Sequence, residues 1–291
     1  MLTPPLDSFP RSRWDVGNVQ NNIHFISGLP RAGSTLLAAL LRQNPRFHAS
    51  MSGPMGSLFT ALQREMSQGS EYGLLIDNEQ RAKILAATFD AYYHRIHPTQ
   101  LVFDTNRLWT TKLPALTALF PQTKMICCVR NVAWVLDSIE SLLRRNYLET
   151  SKIFNFEPGG TVYSRVEGLA SNIGMVGFAL HALREAVFGE QADRLLLLRY
   201  ETLTADPLGA LARIYEFIGE PLYAHDREHI QPCLEAVEFD KRLGTPGLHS
   251  VGSAVCQIHR RTILPTDLFK RYEAFSFWEK PEEMPQGIRL V

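Results

Sequence analysis

The sequence predicts an α/β fold, a central parallel β-sheet of about four or five strands flanked by helices on both faces. Three observations predict it. Ile23 to Leu40, IHFISGLPRAGSTLLAAL, passes from branched and aromatic apolar residues through a glycine-bearing turn into a leucine- and alanine-rich helix start. Lys124 to Val129, KMICCV, is a continuous apolar run of strand length, the pattern of a strand buried on both faces. Between and beyond these runs, apolar residues recur at helical spacing.

With 291 residues, 45% hydrophobic and 21% charged, the chain is long enough for one sizeable core. We expect a loose arm over residues 1–21, rich in proline and polar groups, and a single α/β domain over 22–291. Lys plus Arg and Asp plus Glu both number 30. A chain without basic excess is not a general binder of nucleic acid or anionic membrane, so an anion site must come from a few placed arginines. Cys127, Cys128, Cys233 and Cys256 lack metal-ligand spacing and read as reduced core thiols; no metal is expected. The first residues lack the apolar run of a secretory signal, and no stretch approaches the roughly 20 apolar residues of a membrane helix. The expectation is a cytoplasmic protein without a membrane partner.

Taken in order, the first strand runs into Gly28-Leu29-Pro30-Arg31-Ala32-Gly33-Ser34-Thr35. Such a turn aims backbone N–H groups and a helix N-terminus at one point, a site suited to phosphate. Gly28-x4-Gly33 followed by Ser34-Thr35 fits the phosphate-loop spacing, with Ser34 where an NTPase has Lys and the positive charge displaced to Arg31. This loop is poorly suited to γ-phosphoryl transfer, and well suited to a 5′-phosphate bearing something other than a phosphate chain. On the bland alternative, Arg31 is a solvated charge.

The following helix runs to about Gln43 and stops before Asn44-Pro45. Arg46 to Ser52 reads as a short second strand, and Met55 to Met66 and Asn78 to His94 as helices. Gln100 to Phe103 reads as a third strand. Asp104, Thr105, Asn106, Arg107, Leu108 and Trp109 follow at its exit, where open α/β sheets keep their chemistry. Leu113 to Phe120 is helical by spacing. After the Lys124–Val129 strand comes Arg130, then Asn131 as N-cap, then a helix carrying Ser138 eight residues beyond Arg130. That offset is about two turns, so hydroxyl and guanidinium converge on one phosphate. Taken alone, the pair reads better as a helix-end arginine beside Asp137 or Glu140. Tyr147 to Gly160 reads as a long loop, a flap or part of an acceptor pocket. Val166 to Phe188 reads as one long helix, His225 to Ile230 as helical and Phe239 to His249 as a loop; a final short helix ends at Tyr272.

GLPRAGSTLL resembles the PRSGTT-type loop of sulfotransferases that use 3′-phosphoadenosine 5′-phosphosulfate (PAPS), in a bacterial-type branch with Arg for Lys, related to the protein-tyrosine sulfotransferases. CVRNVAWVLDS is similar to that family's Val-Arg strand end with Ser eight residues on. Leu195 to Pro221, LLLLRYETLTADPLGALARIYEFIGEP, resembles its late strand, Tyr-Glu and helix unit. The resemblance covers most of residues 22–221 and implies the sulfotransferase fold. It implies transfer of a sulfuryl group from PAPS to a hydroxyl or amine by in-line displacement, without a metal. It further implies Pro30, Arg31, Ala32, Gly33, Ser34 and Thr35 around the 5′-phosphosulfate, Arg130 and Ser138 on the 3′-phosphate, and Tyr200 on the adenine. Arg260 and Arg261 stand for the family's basic C-terminal loop, although its Arg-Lys-Gly pattern is absent.

In-line transfer needs positive charge where negative charge develops. Arg31 is the first candidate for the leaving oxygen, with Arg107 or Lys112 for the sulfuryl oxygens. The Glu that serves as base in the protein-tyrosine branch falls at Ser52, which leaves the base open. Asp104 is the preferred replacement, followed by His48 and His249; for Asp104 a pairing with Arg107 is an equal alternative. A small-molecule acceptor is expected over a polymer, and a homo-oligomer is compatible with the sequence. The alternatives are a P-loop kinase of small molecules or nucleotides, against which Ser34 weighs, and a non-catalytic nucleotide-binding module, which the missing Glu keeps open.

Overall fold

The computed structural model describes residues 22–67, 69–155, 160–232, 234–256 and 261–291; the expected arm over 1–21 and Arg260 lie outside them. Six strands form one sheet: β1 (Ile23–Gly28), β2 (Phe47–Ala49), β3 (Leu101–Thr105), β4 (Met125–Val129), β5 (Leu195–Arg199) and β6 (Arg289–Leu290). Their order is β2-β3-β1-β4-β5-β6, and every pairing is parallel. The α/β parallel-sheet prediction holds. One strand more than expected closes the edge. β6 is two residues long, too short to carry any periodicity, and β5 holds it through Val291 N–H to the Leu197 carbonyl (2.9 Å) and Arg199 N–H to the Val291 carbonyl (2.8 Å).

The described helices are α1 (Ser34–Leu41), α2 (Met55–Glu65), α3 (Asn78–Tyr92), α4 (Leu113–Leu119), α5 (Val132–Arg145), α6 (Val162–Ala170), α7 (Met175–Val187), α8 (Tyr200–Ala205), α9 (Pro207–Ile218), α10 (Leu234–Arg242) and α11 (Thr266–Glu273). Local chemistry sets their ends. Asp77 and Gln80 form a capping box on α3, Asn131 accepts from Ala133 N–H at the start of α5, and Gly219 closes α9 at φ 82°. All five residues of β4 are buried, as a central strand covered on both faces should be. Beside β1, an edge-to-face aromatic cluster of Phe25, Phe59, Phe89, Trp109 and Phe120 fills the core; Phe25 to Trp109 and Phe89 to Phe120 are each 5.1 Å between centroids.

Five readings change. β3 extends through Thr105, so Asp104 lies inside the strand, in register with Phe25, and not at its exit. The expected long helix over 166–188 is two helices, α6 and α7, because the chain turns tightly at 171–174: a Cβ on Gly174 would stand 2.1 Å from the Gly168 carbonyl oxygen. By length and composition Val162–Val187 could cross a membrane; here α7 sets Val176, Ala179, Leu183 and Val187 into the core. Residues 225–230 are irregular, and α10 occupies 239–242, so the expected loop begins at Leu243. α10 was hard to read because an aspartate, Asp240, sits on its buried side beside Ala236. Lastly, Cys127 and Cys128 are core thiols, whereas Cys256 is exposed; the Cys233 side chain lies outside the described residues.

This topology creates the site. The chain leaves β1 for the β2-β3 side, then crosses to β4 on the other. The crevice at the carboxyl ends of β1 and β4 is therefore the switch point, where open α/β sheets bind ligands.

Candidate functional site

Gly28 pairs in register with Cys128, and Leu29 N–H donates to the Cys128 carbonyl at 2.9 Å. At Gly28, φ is 103° and a Cβ would stand 2.2 Å from that carbonyl oxygen, so only glycine lets the two strand ends come this close. The loop then turns through two more left-handed residues, Arg31 (φ 58°) and Gly33 (φ 97°). For arginine this backbone is strained, and strain of that kind gathers at ligand sites. Gly33 caps α1 without a side chain, so no side-chain acceptor covers the first-turn N–H groups at Ser34 and Thr35. Such a terminus favours an anion. Pro30 and Ala32 are buried framework under the turn.

Four of the sequence-predicted residues meet here. Arg31 Nε donates to Ser138 Oγ at 3.2 Å, across 107 residues of sequence, and another Arg31 nitrogen donates to the Leu248 carbonyl. Arg130 donates to the Arg31 carbonyl at 3.4 Å and lies over the Tyr200 ring at 4.1 Å, a cation–π stack. Tyr200 in turn flanks the loop, since a Cβ on Gly33 would stand 3.1 Å from its Cδ2. Burial first, and then the positive charges of Arg130 and Arg145, press the Arg31 pKa downward. Arginine stays protonated nonetheless, so the crevice stores crowded positive charge that an anion would relieve.

Asp104, Lys112 and His48 have partners elsewhere, and the Arg107 carbonyl accepts from Ser27 Oγ (3.3 Å) at the end of β1. Asp104 is 1% exposed, and both its oxygens are taken, Oδ2 by the Tyr93 hydroxyl (2.5 Å) and Oδ1 by Trp109 Nε1 (2.8 Å). Burial raises its pKa to about 6 against those two hydrogen bonds. A carboxylate sealed in the aromatic core presents no oxygen to an acceptor. Arg107 is exposed, its side chain making no hydrogen bond or ion pair among the described residues; it does not pair with Asp104. Lys112 Nζ donates to Gln63 Oε1 of α2 at 2.7 Å. His48 packs its ring on Tyr93 at 5.8 Å. Arg261 is exposed.

Two features left no sequence signal. Asp137, fully buried beside Ser138, accepts from Thr262 Oγ1 and Ile263 N–H, both at 2.7 Å, and so pins the C-terminal segment to α5 next to the arginine pair. Glu140, the other residue the sequence offers beside Arg130, binds Arg165 and Arg144. The second feature is the Leu248 carbonyl, which reaches Arg31 from a loop whose arrival only the packing of α10 decides. Among the described residues no group of three or more His, Cys, Asp or Glu could hold a metal ion.

A family model described as "Sulfotransferase family" matches residues 24–224. None of the curated proteins compared matches the sequence. Among solved structures, the chain is similar to a sulfotransferase domain from the curacin biosynthetic pathway (17% identity, 92% of this chain and 93% of that one covered, TM-score 0.48). It is similar also to the sulfotransferase domain of the Synechococcus PCC 7002 olefin synthase (20% identity, 88% and 94% covered, TM-score 0.43). A third is retinol dehydratase in complex with androsterone and the inactive cofactor PAP (14% identity, 89% and 81% covered, TM-score 0.46).

Proposed function

For this chain, which belongs to the sulfotransferase family, we propose that the sulfuryl donor is PAPS and that the acceptor is a hydroxyl or amine on a small molecule. The observation that carries the reading is the convergence of Arg31, Ser138, Arg130 and Tyr200 at the β1–β4 crevice. The residues fit the nucleotide. Uncapped N–H groups and Arg31 suit the 5′-phosphosulfate, Arg130 and Ser138 supply the fork and the hydroxyl that a 3′-phosphate takes, and the Tyr200 face suits an adenine. Gly33 leaves room beside that ring which a Cβ would fill.

When bound, PAPS supplies an activated sulfuryl group on a phosphate leaving group. Arg31 and the loop N–H groups hold positive charge where the leaving oxygen becomes anionic. Arg130, braced against Tyr200 and the Arg31 carbonyl, keeps the nucleotide in register so that acceptor, sulfur and leaving oxygen fall in line. The kinase alternative lacks the lysine after Gly33 that would grip a phosphate chain.

The test is calorimetric titration with 3′,5′-adenosine diphosphate beside ATP and 5′-AMP, on the wild type and Arg130→Ala. Losing one charge-assisted contact of roughly 1.5–3 kcal/mol should weaken the 3′,5′-nucleotide by about 10- to 150-fold. Wild-type protein should prefer it strongly to 5′-AMP. Preference for ATP with Mg²⁺, unaffected by the substitution, would overturn the reading in favour of a kinase. Nucleotide binding without turnover of PAPS over a wide acceptor panel would favour the non-catalytic module.

A further inference from the structure

A hydroxyl acceptor needs a base, and Asp104 is sealed away from it. The segment that covers Arg31 carries a replacement. Residues 243–250 follow α10 and are tied down along their length. Lys152 N–H donates to the Leu243 carbonyl (2.9 Å), Ser151 and the fully buried Thr245 share a hydroxyl hydrogen bond, Asn146 Nδ2 donates to the Pro246 carbonyl (3.1 Å), and Arg31 holds the Leu248 carbonyl. The strap is thus fixed against the guanidinium assigned to the leaving oxygen. The next residue is His249, its Cα about 3.8 Å from that of Leu248.

His249 is itself held in a defined orientation. Its Nδ1 lies 2.6 Å from Asp240 Oδ1 and its backbone N–H donates to Asp240 Oδ2 at 2.8 Å. The Asp240 side chain is 2% exposed and that of His249 is 16% exposed. A carboxylate oxygen accepts from Nδ1, so the neutral ring carries its proton there and presents the Nε2 lone pair. Nε2 makes no hydrogen bond among the described residues. Asp240 also acts on the charge of Arg31, which places the dyad and the arginine in one electrostatic neighbourhood; the other charged or titratable groups acting there are Arg130, Arg145 and Tyr200. Neither His48, packed on Tyr93, nor the exposed His229 has a buried carboxylate behind it and an anion-site arginine beside it.

We propose that His249, oriented by Asp240, is the general base of the transfer; the inference rests on the sulfotransferase reading of the same crevice. His249 Nε2 takes the acceptor's proton as the acceptor oxygen–sulfur bond forms and the bond from sulfur to the bridging phosphate oxygen breaks. The electron pair of that bond leaves on the phosphate, beside Arg31. Products are the sulfate ester and the 3′,5′-nucleotide, and the imidazolium returns its proton to water. Asp240 touches no reacting atom and is a positioning residue, holding the productive tautomer.

The test compares His249→Gln, Asp240→Asn and, as control, His229→Gln. Affinity for 3′,5′-adenosine diphosphate should stay within about 2-fold in all three. Absence of nucleotide binding by the wild type would overturn the parent reading instead. With PAPS and a panel of alcohols and phenols, His249→Gln should lower kcat for alcohols by about 10²–10⁴-fold with KM little changed. It should remove the acidic limb of the pH–rate profile, and affect far less a phenol already ionised at the assay pH. Asp240→Asn should fall between, and the control should match the wild type. Retention of kcat within about 3-fold and of the acidic limb in His249→Gln would overturn the proposal. Should no panel member turn over, long-range ¹H–¹⁵N NMR decides. The His249 ring should show a protonated Nδ1, lost in Asp240→Asn, and an Nε2 signal that moves on adding PAPS. A protonated Nε2, or an Nε2 signal blind to PAPS, would overturn it.

Discussion

Asp104→Asn should make the protein more stable at neutral pH, although it alters a buried, doubly hydrogen-bonded residue. Burial raises the carboxyl from 3.8 to about 6 in the folded chain. Between those values the native state keeps a proton that the unfolded chain has lost, so stability falls as pH rises and levels off above the folded pKa. By linkage the rise corresponds to ~3 kcal/mol of stability lost on going from acid to neutral pH. Asparagine carries no charge to bury and keeps both contacts: its carbonyl accepts from Trp109 Nε1, and its amide donates to the Tyr93 oxygen. The expected gain near neutral pH is therefore ~1–3 kcal/mol, the lower end allowing for imperfect amide geometry. Urea unfolding of both proteins at intervals from about pH 4 to pH 8 measures it: other groups, buried His24 among them, tilt both curves alike, and the variant's advantage over the wild type should grow as pH rises and level off above about pH 6. Parallel curves across that window, or a variant weaker than wild type at neutral pH by more than about 1 kcal/mol, would refute the reasoning.

Gly28→Ala should abolish soluble folded protein or cost more than about 4 kcal/mol, because its Cβ meets backbone at 2.2 Å. Gly219→Ala, also at positive φ (82°) but with open space around it, should cost only about 1 kcal/mol by urea midpoint. Glu140→Gln should lower stability by roughly 1–2 kcal/mol, since it takes the buried carboxylate charge from Arg165 and Arg144, bound at 2.6 and 2.9 Å and both partly solvated. Burial pushes the Glu140 pKa up, but the hydrogen bonds and charges of the two arginines outweigh it and hold it below the usual value. Its contribution is present at neutral pH and fades in acid, so the gap between wild type and Glu140→Gln should narrow as pH falls through that lowered pKa. A thiol reagent followed by mass spectrometry should label Cys256 in the native protein and spare Cys127 and Cys128, whose thiols burial pushes up, that of Cys128 to about 12.

Much of the crevice was legible before any coordinates. The glycine loop and the Val129–Arg130 strand end are encoded locally, by apolar runs, a cap and turn-forming glycines, and the Tyr200 unit was read from the family resemblance of Leu195 to Pro221. Sheet order then brings Arg31, Ser138, Arg130 and Tyr200 to one point. The less legible parts share one property, a polar group on a buried face. Asp104 read as a strand exit because aspartate is disfavoured inside strands, and here two aromatic donors let it continue the strand instead. The last turn of α10, 239–242, read as part of a loop, its inner side carrying Asp240.

The sequence by itself determined the α/β class, the parallel strands long enough to show an apolar run, and the anion loop with its displaced arginine, because those depend on interactions between near neighbours. Tertiary structure alone decided which distant groups serve that loop. The Leu248 carbonyl lies 217 residues from Arg31, and Asp137 finds its partners 125 and 126 residues away. Contacts over such separations are imposed by sheet order and by the packing of α10 and the C-terminal segment, which leave no periodic trace in the chain.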